Sequence, residues 1–155
     1  MINLLENTLN LFEAKNKNST FIVDPLIGTL FLTIKKYNES DKSVLIYAHN
    51  TYEANNLYQK IINFIPKENV VYLPSNDLIR VEYISESKEL KSELIYGLYR
   101  IKNEKHLVVI ATVSSAIRFY PTIKTFDSSF IDFKVGQTVD LEKVKKDLAK
   151  IGYTR

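Results

Sequence analysis

"SVLIYAHNTYEANNLYQKIINFI" (residues 43–65) is the stretch on which the fold turns. Its first six residues (43–48) carry an apolar run that is continuous from Val44 rather than alternating, which predicts a strand buried on both faces of a sheet. A helix follows. Asn50 is a good N-cap, and Glu53 stands three residues on, as in a capping box. Ala54, Leu57, Tyr58, Ile61 and Ile65 then share one apolar face.

The same rhythm extends in both directions. Upstream, "STFIVD" (residues 19–24) reads as a buried strand and "LIGTLFLTIKKY" (residues 26–37) as a helix with Leu30, Ile34 and Tyr37 aligned. Before them, Leu4, Leu5, Thr8, Leu11 and Phe12 lie at helical spacing in an amphipathic helix over residues 2–15. Downstream, "NVVYL" (residues 69–73) is a third strand stopped by Pro74, and residues 74–85 are a loop. Ser87 can cap a helix in which Leu90, Leu94, Leu98 and Ile101 recur. "HLVVIAT" (residues 106–112) is a fourth strand, followed by the short helical "VSSAIRFY". Strand and helix alternate four times, which predicts an α/β domain: a parallel sheet with helices on both faces and right-handed crossovers.

After Pro121 the rhythm changes. "TIKTFDSSFIDFKVGQTV" alternates apolar and polar residues and carries Gly136, as an antiparallel strand and turn do. "DLEKVKKDLAKIG" is a helix capped by Asp140, with Leu141, Val144, Leu148 and Ile151 as its buried stripe and Gly152 as its stop. A lone strand and helix cannot bury a core. The expected organisation is one domain over residues 1–122 and the truncated start of a second, α+β domain over residues 123–155.

Composition bounds the chemistry. A chain of 155 residues with 45% hydrophobic and 25% charged residues can bury a core. A net charge of +3 permits contact with nucleic acid or an acidic partner without requiring it. There is no cysteine, which excludes disulfides and thiolate metal sites, and two histidines far apart in sequence argue against a histidine-rich metal site. The amino terminus lacks the pattern of a signal peptide, and no apolar run approaches the roughly 20 residues that span a bilayer. The expectation is a cytoplasmic protein without a membrane segment.

"FIVDPLIGTLFLTIKK" (residues 21–36) stands where a nucleotide-binding domain puts its phosphate loop, G-x-x-x-x-G-K-[ST]. With Gly28 as the second glycine, the first is Val23, followed by Asp24 and Pro25; the lysine is Thr29 and the hydroxyl residue is Leu30. The donor-rich turn, the phosphate-binding lysine and the Mg²⁺ ligand are all lost, and a fixed carboxylate has arrived. Repulsion between that carboxylate and a phosphate costs about 1 kcal/mol even when well screened. Asp24, Pro25, Gly28 and Thr29 thus read as a degenerate loop that starts a packed helix. No cofactor or metal is expected, and no catalytic residue.

The other candidates have plainer readings. His49 lies at the carboxyl end of a predicted parallel strand, where α/β proteins place ligands. No nucleophile or paired carboxylate stands near it, and packing beside the helix start at Asn50 accounts for it. His106 reads as exposed, and Ser114 and Ser115 as N-cap residues. Among ten tyrosines, Tyr47, Tyr58, Tyr72 and Tyr99 fall at core or rim positions rather than forming a stacking platform for nucleic acid. Lys143, Lys145, Lys146 and Lys150, balanced by Asp140, Glu142 and Asp147, read as a solvated helix face.

Four stretches carry a family resemblance. "VLIYAHNTYEANNLYQKI" resembles the strand and helix after the phosphate loop of the nucleotide-excision-repair helicase UvrB and of the bacterial transcription-repair coupling factor (Mfd). "VVYLPSNDLIRVEYISESKELKSELIYGLYRI" is similar to the matching coupling-factor stretch, "LVVIATVSSAIRFYP" to the segment after it, and "FKVGQTVDLEKVKKDLAKIGYTR" to the lead into the inserted second domain of both. UvrB carries an intact phosphate loop and a long tyrosine-rich hairpin that clamps DNA. Here the loop is degenerate, there is no room for the hairpin, and the lysine that follows His-Asn in UvrB is Thr51. The chain therefore resembles the N-terminal UvrB-like module of a coupling factor. That resemblance implies a RecA-like helicase-type domain that is catalytically inert, recruits the damage-recognition protein UvrA and docks on other domains of its own chain. It puts contacts to RNA polymerase and DNA, and the translocase ATPase, in parts of the full protein outside this chain. It also marks Arg155, closing Gly-Tyr-x-Arg, as a UvrA-contacting arginine. The alternative is a nucleotide-binding half-site of a UvrB-type helicase.

Overall fold

The computed structural model describes residues 24–75, 88–131, 133–150 and 153. The expected helix over residues 2–15, the strand before Asp24, the loop beyond Ser75, the Ser87 cap, the helix end at Ile151 and Gly152, and Arg155 lie outside the described residues. The chain divides into two compact units, Met1–Arg118 and Phe119–Arg155.

In the first unit, helix α1 (Pro25–Glu39) leads to strand β1 (Val44–Ala48), helix α2 (Thr51–Ile61), a single 3₁₀ turn (Lys67–Asn69) and strand β2 (Val70–Leu73). Helix α3 (Lys88–Asn103), strand β3 (Val108–Thr112) and the short helix α4 (Val113–Ala116) follow. The strands form a parallel sheet in the order β1-β3-β2, with Val44 and Val70 both opposite Val108. β3 is central and buried along its whole length.

Alternation along β3 separates two cores. Val108 and Ile110 face one way, where they join Ile46 and Ala48 of β1, Val70 of β2, Leu30, Ile34 and Tyr37 of α1, and Ala54, Leu57 and Ile61 of α2. Val109 and Ala111 face the other way, against Val71, Leu73 and Leu94 of α3. Helices thus cover both faces. The faces of α1 and α2 agree with the sequence, including the buried Leu30, Ile34 and Tyr37 and the buried Ala54, Leu57 and Ile61; in α3 Leu94 is buried, but Ile101 is exposed.

β1 departs from the reading. Leu45 and Tyr47 are 53% and 59% exposed, so the apolar run is not a strand buried on both sides, and Tyr47, read at the core or its rim, lies on the exposed face. α3 packs on β2 and β3, and β1 lies at the far edge from it. His106 departs in the opposite sense. It is half-buried, with φ +56, and its ring stacks on Tyr37 at 3.9 Å and 6°. Its Nε2 lies 2.8 Å from the Tyr37 carbonyl oxygen, and the Tyr37 hydroxyl accepts from Asn69 Nδ2 at 2.7 Å. A loop residue that looked peripheral closes the amino end of the sheet.

Gly97 brings α3 close to β2. A Cβ there would lie 2.8 Å from Leu73 Cδ2 and 3.3 Å from Val71 Cγ1. Arg100, one turn on, ties the same helix to the strand: Nη1 donates to the Val70 carbonyl at 3.2 Å and Nη2 to that of Glu68. Glu104 holds the guanidinium through Nε and Nη2. That hydrogen bond raises the Arg100 pKa against the opposing effect of desolvation, and it holds the Glu104 carboxyl below the usual carboxylate range.

In the second unit, α5 (Ile123–Ser128) occupies the segment expected to be a strand, and the described residues there include no strand. Thr122, following Pro121, caps this helix by accepting from Thr125 N–H at 3.3 Å, while Phe126 and Phe130 meet edge to face at helical spacing. Gly136 adopts φ +84 in the turn that follows, as a glycine turn requires. α6 (Leu141–Lys150) starts where expected, with the Asp140 carboxylate accepting from Glu142 and Lys143 N–H. No residue of α6 is fully buried: Val144 and Leu148 are half-buried and Leu141 is 70% exposed, which corrects the expected buried stripe.

Candidate functional site

The site to test is the start of α1, with the loops at the carboxyl ends of the strands. An anion at a helix N-terminus is held by first-turn N–H groups that lack helical partners. Here Pro25 contributes none. The Asp24 carboxylate accepts from Ile27 N–H at 3.0 Å, and Gly28 N–H donates to the Asp24 carbonyl at 2.7 Å. Thr29 turns its hydroxyl back onto the Pro25 carbonyl at 2.6 Å rather than outward to a metal. Gly28 is buried. A carboxylate fixed on one of the donors adds charge repulsion to the loss of donors.

The loop after β1 closes on itself in the same way. Asn50 Oδ1 accepts from Glu53 N–H at 2.9 Å, and the Glu53 carboxylate accepts from His49 N–H at 3.2 Å. The capping box read from the sequence is present, with its return bond shifted by one residue to His49. His49 itself is exposed.

At the end of β3 the cap is Thr112, not Ser114 or Ser115. Its hydroxyl accepts from Ser115 N–H at 3.1 Å, and Ser115 Oγ accepts from Thr112 N–H at 2.9 Å. Both residues are buried, and Ser75, just past β2, brings its hydroxyl to 2.5 Å from Thr112 Oγ1. The signal was in the sequence: Thr112 and Ser115 have the spacing of a capping box immediately after an apolar run. Tucked into this pair, Ser115 has the environment of a structural hydroxyl rather than a nucleophile.

At the starts of α1, α2 and α4 the capping side chains of Asp24, Asn50 and Thr112 each accept from a first-turn N–H of their own helix. Among the described residues no cluster of three or more His, Asp or Glu side chains could hold a metal ion, and no helix is long and apolar enough to cross a membrane.

No protein-family profile matches the chain, and no solved structure matches it. Curated proteins do. The transcription-repair-coupling factor of Bacillus subtilis (strain 168) is 26% identical over 118 residues, which is 76% of this chain and 10% of that protein. The transcription-repair-coupling factor of Staphylococcus aureus (strain bovine RF122 / ET3-1) is 24% identical over 121 residues, 78% of this chain and again 10% of the relative. The chain thus spans about one tenth of the length of the curated relatives it matches. The family resemblance read from the four stretches is borne out: over 76–78% of its length this chain is homologous to a segment of the bacterial transcription-repair-coupling factors.

Proposed function

We propose that this chain is a non-catalytic protein-interaction module of transcription-coupled nucleotide excision repair, acting in the cytoplasm. In this reading residues 1–122 are a degenerate UvrB-like, RecA-type domain and residues 123–155 begin the UvrA-binding domain. The first docks on the remainder of the coupling factor, and the second recruits UvrA. Contacts to RNA polymerase and DNA belong to other parts of the full protein.

Similarity to coupling factors supports the pathway. The observation that carries the inert role is the Asp24 carboxylate on Ile27 N–H, because it puts a negative charge on a donor that a phosphate needs. Calorimetry with Mg-ATP at millimolar concentration is expected to give no saturable heat. A micromolar dissociation constant overturns the inert reading in favour of a nucleotide-binding half-site.

UvrA is the second test. One contact does not hold a complex against the entropy of association, so these 155 residues are expected not to bind UvrA measurably. A chain extended through the whole second domain is expected to bind, and Arg155→Ala to weaken it by about 1–3 kcal/mol as a charge-assisted contact. Equal affinity of the two extended chains by surface plasmon resonance removes Arg155 from the interface.

A further inference from the structure

A cleft of about 360 Å³ runs along the side of β2 away from β3, between α2 and α3. Its size falls in the range of small-ligand sites, roughly 300–1,000 Å³. Three tyrosines from three different elements line it: Tyr58 of α2, Tyr72 of β2 and Tyr96 of α3. Tyr58 and Tyr72 are half-buried, with ring centroids 6.2 Å apart and planes tilted by 42°, and they form a fixed wall. Tyr96 is 64% exposed. Gly97, beside it, keeps α3 close against the strand.

The charges in the cleft are polarised. Arg100 is neutralised by Glu104 and pinned to the start of β2, so it shapes the wall without offering a free charge. Lys67 lies at that same end and, among the described residues, enters no ion pair. Glu93, nearly two helical turns before Arg100, lines the opposite end and likewise enters no ion pair among the described residues. The lining therefore presents one cation, one anion and an aromatic middle. A nucleic-acid strand needs a row of cations to follow its backbone, and the pairing of Arg100 with Glu104 and the presence of Glu93 remove that option. Aromatic residues are instead what the centres of protein interfaces concentrate.

The geometry points to a peptide-docking site: the β2 cleft takes an aromatic side chain of a partner protein, flanked by a carboxylate that pairs with Lys67 and a cation that pairs with Glu93. The aromatic group packs against Tyr96 and the Tyr58–Tyr72 wall. The site lies on the sheet edge and does not depend on UvrA being a partner of this chain.

The test is a nitrogen-15 NMR titration of the full 155-residue chain with the peptide acetyl-Asp-Gly-Trp-Gly-Lys-amide. Saturable shifts in the millimolar range are expected at amides of β2 and α3, and no such shifts with the peptide in which alanine replaces tryptophan. Tyr96→Ala is expected to weaken binding about fivefold or more, as loss of an aromatic anchor does, and Lys67→Glu to weaken it about threefold through the lost ion pair. Tyr96 and Lys67 are exposed, and unchanged far-ultraviolet circular dichroism of each variant verifies that the fold is kept. No saturation, shifts confined to other elements, or equal affinity for Tyr96→Ala overturns the proposal. So does an oligothymidylate that shifts the same amides with an affinity falling steeply with salt, because that outcome makes the cleft a base-stacking surface.

Discussion

On the α1–α2 side of the sheet, Ile46, Ala48, Val70, Val108 and Ile110 bring all three strands against two helices. On the α3 side, among the described residues, Val71, Leu73, Val109 and Ala111 bring two strands against one helix, and Leu45 and Tyr47 of β1 stand more than half exposed. The same five-residue strand is thus inside on one face and outside on the other. Apolar character tells that a strand can be buried; what packs on each face decides whether it is. Burial of a large apolar side chain contributes about 1.5–3 kcal/mol, so the better-covered face should dominate stability.

Truncation in the better-covered face is the strongest way to break this contrast. Ile110 is fully buried, and Ile110→Ala is expected to lose about 3–5 kcal/mol in urea unfolding. Leu94, on the other face, is 8% exposed, and Leu94→Ala should lie near the low end of such changes, about 2 kcal/mol. Equal losses would mean that the two faces are equally well packed. Gly97→Ala sharpens the test on α3. Overpacking against Leu73 and Val71 costs about 1–3 kcal/mol, while the better helix propensity of alanine returns up to about 1 kcal/mol. The expected net loss is about 1 kcal/mol, and a gain in stability would show that the helix can move away freely.

Asp24→Ala removes the α1 cap and should cost about 1 kcal/mol, with Asp24→Asn recovering most of it. The Arg100–Glu104 pair has a smaller, pH-dependent effect. The guanidinium hydrogen bond lowers the Glu104 pKa, so the pair's contribution is full above the ordinary glutamate value of about 4.3 and fades as pH falls through the lowered one. Glu104→Gln should flatten that part of the stability–pH curve, and an unchanged acid limb would leave the pair without a role. Leu45→Thr is the smallest change, expected within about 0.5 kcal/mol of zero because the side chain is already in water. A large loss would show that this face is covered in solution.

Much of the first unit was legible because its signals are local. Asn50 and Glu53 lie three residues apart, and Leu30, Ile34 and Tyr37 repeat at helical spacing, so periodicity and capping chemistry suffice. What could not be read depends on distant partners. His106 meets Tyr37 across 69 residues, and nothing near it in sequence says that a ring will be waiting. The close approach at Gly97 shows only once β2 is placed beneath α3. Tyr47 matched the core pattern while its face was left to solvent. In the second unit the alternation after Pro121 imitated a strand, but Thr122 supplied a cap and Phe126 found Phe130 four residues on. In the candidate site, the losses around Gly28 were visible in sequence, whereas the bond from Ile27 N–H to Asp24 needed coordinates.

The order β1-β3-β2 also bears on how the chain is made. The central strand is the last of the three to leave the ribosome. β1 and β2 never pair with each other; both wait for Val108–Thr112. Until that segment emerges, β1 and β2 lack the strand that joins them, which is the one partner of each among the described residues, and this part of the sheet cannot close. Non-local pairing of this kind is slow and exposes sticky intermediates. The first unit should therefore gain its sheet in one late step, and nascent chains ending before β3 should be the ones that chaperones hold.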